Sequence, residues 1–313
     1  MQNNRFDTNC IEEDEIDLRE LFNTIWMHKY KIMMFTFILT SLTIIYTLSV
    51  PNSYKSSVVL APQDQSSTSS SLGGLSALAG MAGVSLGGGN MDAYNSLNTV
   101  INDYGFQKML VEKYNLSEKL SPKAMDKNLV FALGVRTFYD FFHSNNKKDD
   151  RSKDEIEYDT IKKLKKIVSI SSDKKSGAIT LSVVLPDRFL AKKLLEIYLS
   201  ESTNYLRKID MLEINKKLHY YKNELANISD IELKTQISQL MSALVQKRVL
   251  SSASEFYIVK EITKPEVPYI KDKTKPKRAL IVIVAFITSI ILAIFGVFFI
   301  EFLKNSKEDN QPN

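Results

Sequence analysis

The chain is poor in the residues that usually carry chemistry. It has one cysteine, Cys10, which excludes an intramolecular disulfide and any cysteine-rich zinc site. Its histidines, His28, His143 and His219, stand far apart, and none belongs to an HxxxH or HExxH pattern. A GxSxG elbow is missing, as is the kinase signature set. Acid pairs such as Asp149/Asp150 and Asp154/Glu155 lie inside charge runs of the kind that solvate a surface. With no nucleophile, base or metal set, and no cofactor implied, the expectation is a protein that is not an enzyme.

Charge is absent from two long stretches. Residues 32–50 (IMMFTFILTSLTIIYTLSV) and 279–300 (ALIVIVAFITSIILAIFGVFFI) contain no ionisable Asp, Glu, Lys or Arg, and each is long enough for a hydrocarbon core of ~30 Å. A soluble core helix would carry a polar stripe, and neither run has one. Both are expected to be transmembrane helices. The first is read as a retained anchor, because a polar segment with the acidic cluster Glu12, Glu13, Asp14, Glu15 and Asp17 precedes it where a signal peptide would be basic and short.

Two spans put both chain ends on one side. Charge divides on which side that is: His28, Lys29 and Lys31 before the first span favour an inside N-terminus, whereas Lys271, Lys273, Lys275, Lys277 and Arg278 before the second favour the opposite. Long loops translocate largely regardless of charge and the first span usually dominates, so a central domain outside the cytoplasm is favoured, with the choice left open by physics alone. The layout is then a 1–31 cytoplasmic segment, a 32–50 span, a 51–278 external domain, a 279–300 span and a 301–313 tail. The 13 residues after Ile300 are expected to leave no room for a catalytic or signalling domain.

Along the chain, Leu18, Leu21, Phe22, Ile25 and Trp26 share a helical face and suit an interfacial helix leading into the first span. Residues 54–60 (YKSSVVL) read as a strand ended by Pro62. Residues 66–90 hold seven of the eleven glycines but no lysine, so they cannot be a phosphate-binding P-loop. They read as a mobile loop, with a subunit contact as the alternative. A helix is expected over 92–114, its inner face bearing Leu97, Val100, Ile101, Tyr104, Leu110 and Val111. Residues 145–166 read as a solvated run leading into a helix. Residues 167–171 and 178–185 form a hairpin about a turn containing Gly177.

A long helix is expected from Asp187, its cap, to about Asn227, with Leu195, Tyr198, Leu199, Leu206, Ile209, Leu212, Leu218, Tyr221 and Leu225 as its apolar positions. Forty residues would span roughly 60 Å. After a break near Ser229-Asp230, a second helix with Leu233, Ile237, Leu240 and Leu244 is suited to helix–helix packing, and the two make an extended arm over 187–253. Residues 256–262 return as a strand. The 51–278 domain holds 35 basic and 26 acidic residues, an excess read first as charge on a solvated helical face, with acidic sugars or lipid-linked phosphates as the alternative and nucleic acid a poor candidate outside the cytoplasm.

This layout resembles the Wzz-type chain-length determinants, or polysaccharide co-polymerases. The residues that carry the likeness are DEIDLRELFNTIW before the first span, the tract SSSLGGLSALAGMAGVSLGGG, and PEVPYIKDKTKPKRALIVIV entering the second. The resemblance implies an α+β inner-membrane protein: two transmembrane helices flanking a periplasmic domain with an α/β base and a long helical arm. It further implies a homo-oligomeric ring that sets the length of a surface polysaccharide made by a Wzy-type polymerase, with lipid-linked polysaccharide as a further candidate partner. By the same likeness Pro265, Pro268, Pro276, Lys277 and Arg278 match the functional segment bordering the second span. Without Walker motifs, the chain resembles the kinase-free type that serves lipopolysaccharide O-antigen; a capsule-export component is the alternative. One departure is a rather short central domain.

Overall fold

The structure, a computed structural model, describes residues 18–63, 90–132, 136, 139–141 and 151–308. Within them, in chain order, lie α1 (Leu18–Met27), α2 (Lys29–Ser49), β1 (Tyr54–Pro62), α3 (Asn90–Asn102), α4 (Tyr104–Tyr114), α5 (Leu116–Lys119), α6 (Pro122–Asp126), α7 (Lys153–Ile167), β2 (Val168–Ser172), β3 (Ile179–Leu185), α8 (Arg188–Asn227), α9 (Ile231–Ala253), β4 (Val259–Glu261) and α10 (Arg278–Glu308). The glycine-rich tract, Cys10 and His143 fall outside the described residues. The chain divides into two units: residues 1–50, 131–144 and 277–313 form one, and residues 51–130 and 145–276 the other.

In the first unit, α2 and α10 pack against each other. Each holds a stretch long and apolar enough to cross a membrane, Lys29–Ser49 and Arg278–Glu301, with only 17% of each stretch buried within the protein. Side chains such as Phe37, Phe295 and Phe299 are exposed. An apolar helix left this bare requires an apolar surrounding. Several hydroxyls bond back to their own helix: Thr40 donates to the Thr36 carbonyl at 2.8 Å, Thr43 to Leu39 at 2.9 Å, and Thr288 to Val284 at 2.8 Å. Back-bonding of this kind spares a hydroxyl from facing hydrocarbon alone.

In the second unit, an antiparallel sheet of order β2-β3-β1-β4 carries helices on one face. Tyr54 pairs with Leu185 and Leu60 with Ile179, while Val168 of β2 faces Val183. Alternation therefore sends Tyr54, Ser56, Val58 and Leu60 of β1, with Ile179, Leu181, Val183 and Leu185 of β3, to the buried side. The first turns of α8 cover them through Ala191, Leu194, Leu195, Tyr198 and Leu199, none more than 1% exposed. Each such leucine contributes roughly 1.5–3 kcal/mol by burial. The β2–β3 hairpin closes through Asp173, which accepts from the Lys175 amide and the Ser176 hydroxyl, and through Gly177, whose φ of 68° suits a residue without Cβ.

Three expectations change. The helix expected over 92–114 is two helices, because Asp103 takes an extended conformation and its carboxylate accepts from the Phe106 amide at 2.8 Å, capping a new start. The break rotates Tyr104 outward, to 50% exposed, while Leu97, Val100, Ile101, Leu110 and Val111 are buried. The strand expected over 256–262 shortens to Val259–Glu261, since Ile258 sits at φ 62°, a left-handed conformation unfavourable for a β-branched residue. In the outer part of α8, Ile209 and Leu212 are exposed, whereas Ile214 is buried.

Candidate functional site

The residues singled out beside the second apolar helix divide between the units. Pro265, Pro268 and Pro276 belong to one, and Lys277 and Arg278 to the other.

In the second unit the chain leaves β4 and runs back along β1. The Ile262 amide donates to the Val59 carbonyl at 2.8 Å, and the Val59 amide donates to the Thr263 hydroxyl at 2.9 Å. Pro265 and Pro268 have no N–H to give, so a regular ladder stops there. Carbonyls take over the attachment: Glu266 accepts from the buried Ser56 hydroxyl at 2.8 Å, and Pro268 accepts from the Arg188 guanidinium at 3.0 Å. Further on, the Ser53 amide donates to the Lys275 carbonyl at 2.9 Å and the Thr274 amide to Ser53 at 2.9 Å, just before the cis Lys275–Pro276 bond. All three prolines are half-buried. Between the attachments, Tyr269 (81% exposed) and Ile270 stand out from the surface, and together with Arg188, Lys271 and Asp272 they line an open depression.

Arg188 is the residue the sequence did not single out. It follows the α8 cap Asp187, whose carboxylate accepts from the Phe189 and Leu190 amides and from the Asn128 side chain at 2.6 Å. Its guanidinium lies over the Tyr54 and Phe189 rings at 6.0 and 5.3 Å. One side chain thus joins the helix start, the first residue of β1 and the proline-rich segment. Its sequence context, a cation just inside a capped helix, carries no sign of this.

In the first unit, Lys277 is exposed and accepts an amide from Ile281 on its carbonyl, opening α10. Arg278 Nε donates to the Thr47 carbonyl and its terminal nitrogen to Val50, each at 3.0 Å. These carbonyls end α2, where no backbone amide is available to them and a cation also meets the negative helix end.

The second candidate surface is the α8–α9 hairpin. Along its outer part α8 packs against α9, and their shared core is small: Ile214 and Leu244, with Leu218 and Tyr221 partly buried. Its root is tied by polar contacts. Arg207 donates to the Ser254 and Glu255 carbonyls at 2.7 and 2.9 Å, and Asp210 accepts from Tyr257 and pairs with Lys247 at 3.3 Å. Ile209, Leu212, Tyr220, Ile231, Leu233 and Val249 remain exposed along it. Lower on α8, Glu201 accepts from the Tyr114 hydroxyl at 2.6 Å and from Lys113 at 2.9 Å. Burial alone would push the Glu201 carboxyl up, but those two donors outweigh it and hold it below its ordinary value. The same contacts with Glu201 raise Lys113 and Tyr114.

Among the described residues, no group of three or more His, Cys, Asp or Glu lies close enough together to hold a metal. The arrangement offers capped helix ends, a carbonyl-tacked segment and apolar surface.

Residues 14–104 match the Wzz family, described as chain length determinant protein, over less than a third of the chain. The matched part takes in α1, the first apolar helix, β1 and α3. No curated protein matches the sequence. Among solved structures, one titled "full-length bacterial polysaccharide co-polymerase" is similar at 12% identity and a TM-score of 0.35, covering 92% of this chain and 99% of its own. The two apolar helices and the Wzz segment fit an inner-membrane protein.

Proposed function

We propose that this Wzz-type chain is a non-catalytic, oligomeric scaffold of the bacterial inner membrane that regulates the length of a surface polysaccharide, the lipopolysaccharide O-antigen made by a Wzy-type polymerase. The observation that carries the reading is the match of residues 14–104 to the chain length determinant family. In this reading both termini are cytoplasmic and residues 51–278 are periplasmic, consistent with the basic residues Lys29 and Lys31 ahead of the first span. Copies associate through the exposed apolar positions of the α8–α9 arm, and the spans position the polymerase. Lipid-linked polysaccharide is the partner that the basic external domain would meet. Pro265, Pro268, Pro276, Lys277 and Arg278 serve by fixing the chain where it enters the second span.

Deleting the gene and resolving surface polysaccharide by length tests this. The expected outcome is continued synthesis with the preferred length lost. If synthesis itself stops, the scaffold reading is wrong. If polymer of normal length accumulates inside the cell, the protein belongs to capsule export.

A further inference from the structure

The first unit has a feature that chain-length control does not use. A groove of about 200 Å³ runs between α2 and α10, walled by Phe35, Ala293, Val297 and neighbouring apolar side chains, with His28 and Lys31 at one end. Gly296 lies in its wall, and a Cβ built there would meet nothing within 4 Å. This glycine is therefore not needed for the two helices to approach each other. It costs about 1 kcal/mol relative to alanine in a helix interior, and what it leaves is open space facing the bilayer.

The end of the groove is cationic, and no ion pair among the described residues answers it. Lys29 is held over the Trp26 and Tyr30 rings at 4.7 and 5.4 Å. Lys31 has no acidic partner among the described residues, and it is exposed. His28 uses Nδ1 on the Thr24 carbonyl at 3.2 Å, which leaves Nε2 for another group. A helix from another protein would suit the apolar wall but would leave this end unmatched. An anion joined to a hydrocarbon chain answers both parts, and in a bilayer that chemistry is an anionic phospholipid.

We propose that this groove seats one anionic phospholipid, an acyl chain lying against Phe35, Ala293, Gly296 and Val297 and the phosphate meeting Lys31 and His28. The lipid would act as a filler between the spans on the side of the membrane where the chain begins.

The test is native mass spectrometry of the full-length protein in detergent, titrated with phosphatidylglycerol or with phosphatidylcholine of the same acyl chains. One phosphatidylglycerol per protomer should be retained in preference to phosphatidylcholine. Lys31→Gln should weaken retention about fivefold, the share of one basic residue near a membrane surface. Gly296→Leu fills the groove and should abolish retention, whereas Gly296→Ala and Phe295→Ala, the latter outside the groove, should keep it. Equal retention of the two lipids overturns the proposal, as does phosphatidylglycerol retention that neither Lys31→Gln nor Gly296→Leu diminishes. Should Gly296→Leu fail to fold, the Lys31→Gln and Gly296→Ala pair decides alone.

Discussion

Arg278, the first residue of α10, reaches the carbonyl of Thr47 at 3.0 Å and, with a second nitrogen, that of Val50. The second apolar helix thereby caps the last turn of the first. Charge-assisted bonds to carbonyls that no amide can serve are worth more than neutral ones, ~1.5–3 kcal/mol together. Arg278→Ala should lower the unfolding temperature of the detergent-solubilised protein accordingly. Arg278→Lys should recover only part, because one ammonium lacks the planar fork that serves two carbonyls. An unchanged melting curve for Arg278→Ala would remove this clamp from the account.

Tyr198 packs in the sheet-facing layer of α8, with its ring edge-on to Phe106, and its hydroxyl has no hydrogen-bond partner among the described residues. Burial raises the pKa of that hydroxyl. Tyr198→Phe removes an unsatisfied polar atom and keeps the ring, so stability should hold or rise by ~1 kcal/mol. Tyr198→Ala should cost ~3–5 kcal/mol through the cavity it leaves. Denaturant midpoints of the two variants, measured side by side, check the contrast.

The Glu201 carboxyl titrates below its unfolded value of ~4.3, so it holds fewer protons in the native state than in the unfolded chain at mildly acid pH. Its share of stability is present above that value and disappears as pH falls through the native pKa. Lys113 and Tyr114 are shifted the other way, and their share is lost as pH rises beyond ~10. Glu201→Gln should flatten the acid limb of the stability profile and cost ~1–2 kcal/mol at neutral pH, discounted for the exposed lysine. A variant with the same acid limb as the parent would show that other carboxylates govern it.

Asp187 serves three donors at the start of the forty-residue helix. Asp187→Ala should destabilise by ~1–2 kcal/mol, and Asp187→Asn or Asp187→Ser should restore most of it, since either caps well. Amide exchange in the first turn of α8 should accelerate in the alanine variant alone.

The exposed apolar positions of the arm lead to a different expectation. Leu212, 63% exposed, and Ile231, 82% exposed, contribute little to the fold of one copy. Leu212→Asp combined with Ile231→Asp should leave the melting temperature within a few degrees of the parent yet reduce the mass seen by light scattering. Retention of the parental mass would take the arm out of the proposed assembly.

How much of this could be read beforehand follows from the range of the forces involved. The cap at Asp187, the hairpin about Gly177 and the two uncharged runs are local signals, each written in a few consecutive residues. The break at Asp103 is also local, but the apolar spacing running through Leu97, Val100, Ile101 and Leu110 suited one continuous helix and hid it. What the sequence could not disclose was partnership at a distance. Nothing near Arg188 announces Pro268, eighty positions away, and nothing near Ser56 announces Glu266. The choice of Ile214 over Leu212 as the buried position depends on where Leu244 returns alongside, which is set by the turn and not by spacing.

The place of β1 in the sheet has a consequence for biosynthesis. Its neighbours are β3, which begins at Ile179, and β4, which ends at Glu261, so β1 is flanked by strands made more than a hundred residues after it. During translation β1 must wait with its hydrogen-bonding edges open until β3 and then β4 have been made. Pairings this distant in sequence form slowly and leave a vulnerable interval. Maturation of this unit therefore waits on synthesis of β4, and a product truncated short of residue 259 would carry a sheet with an unfinished border.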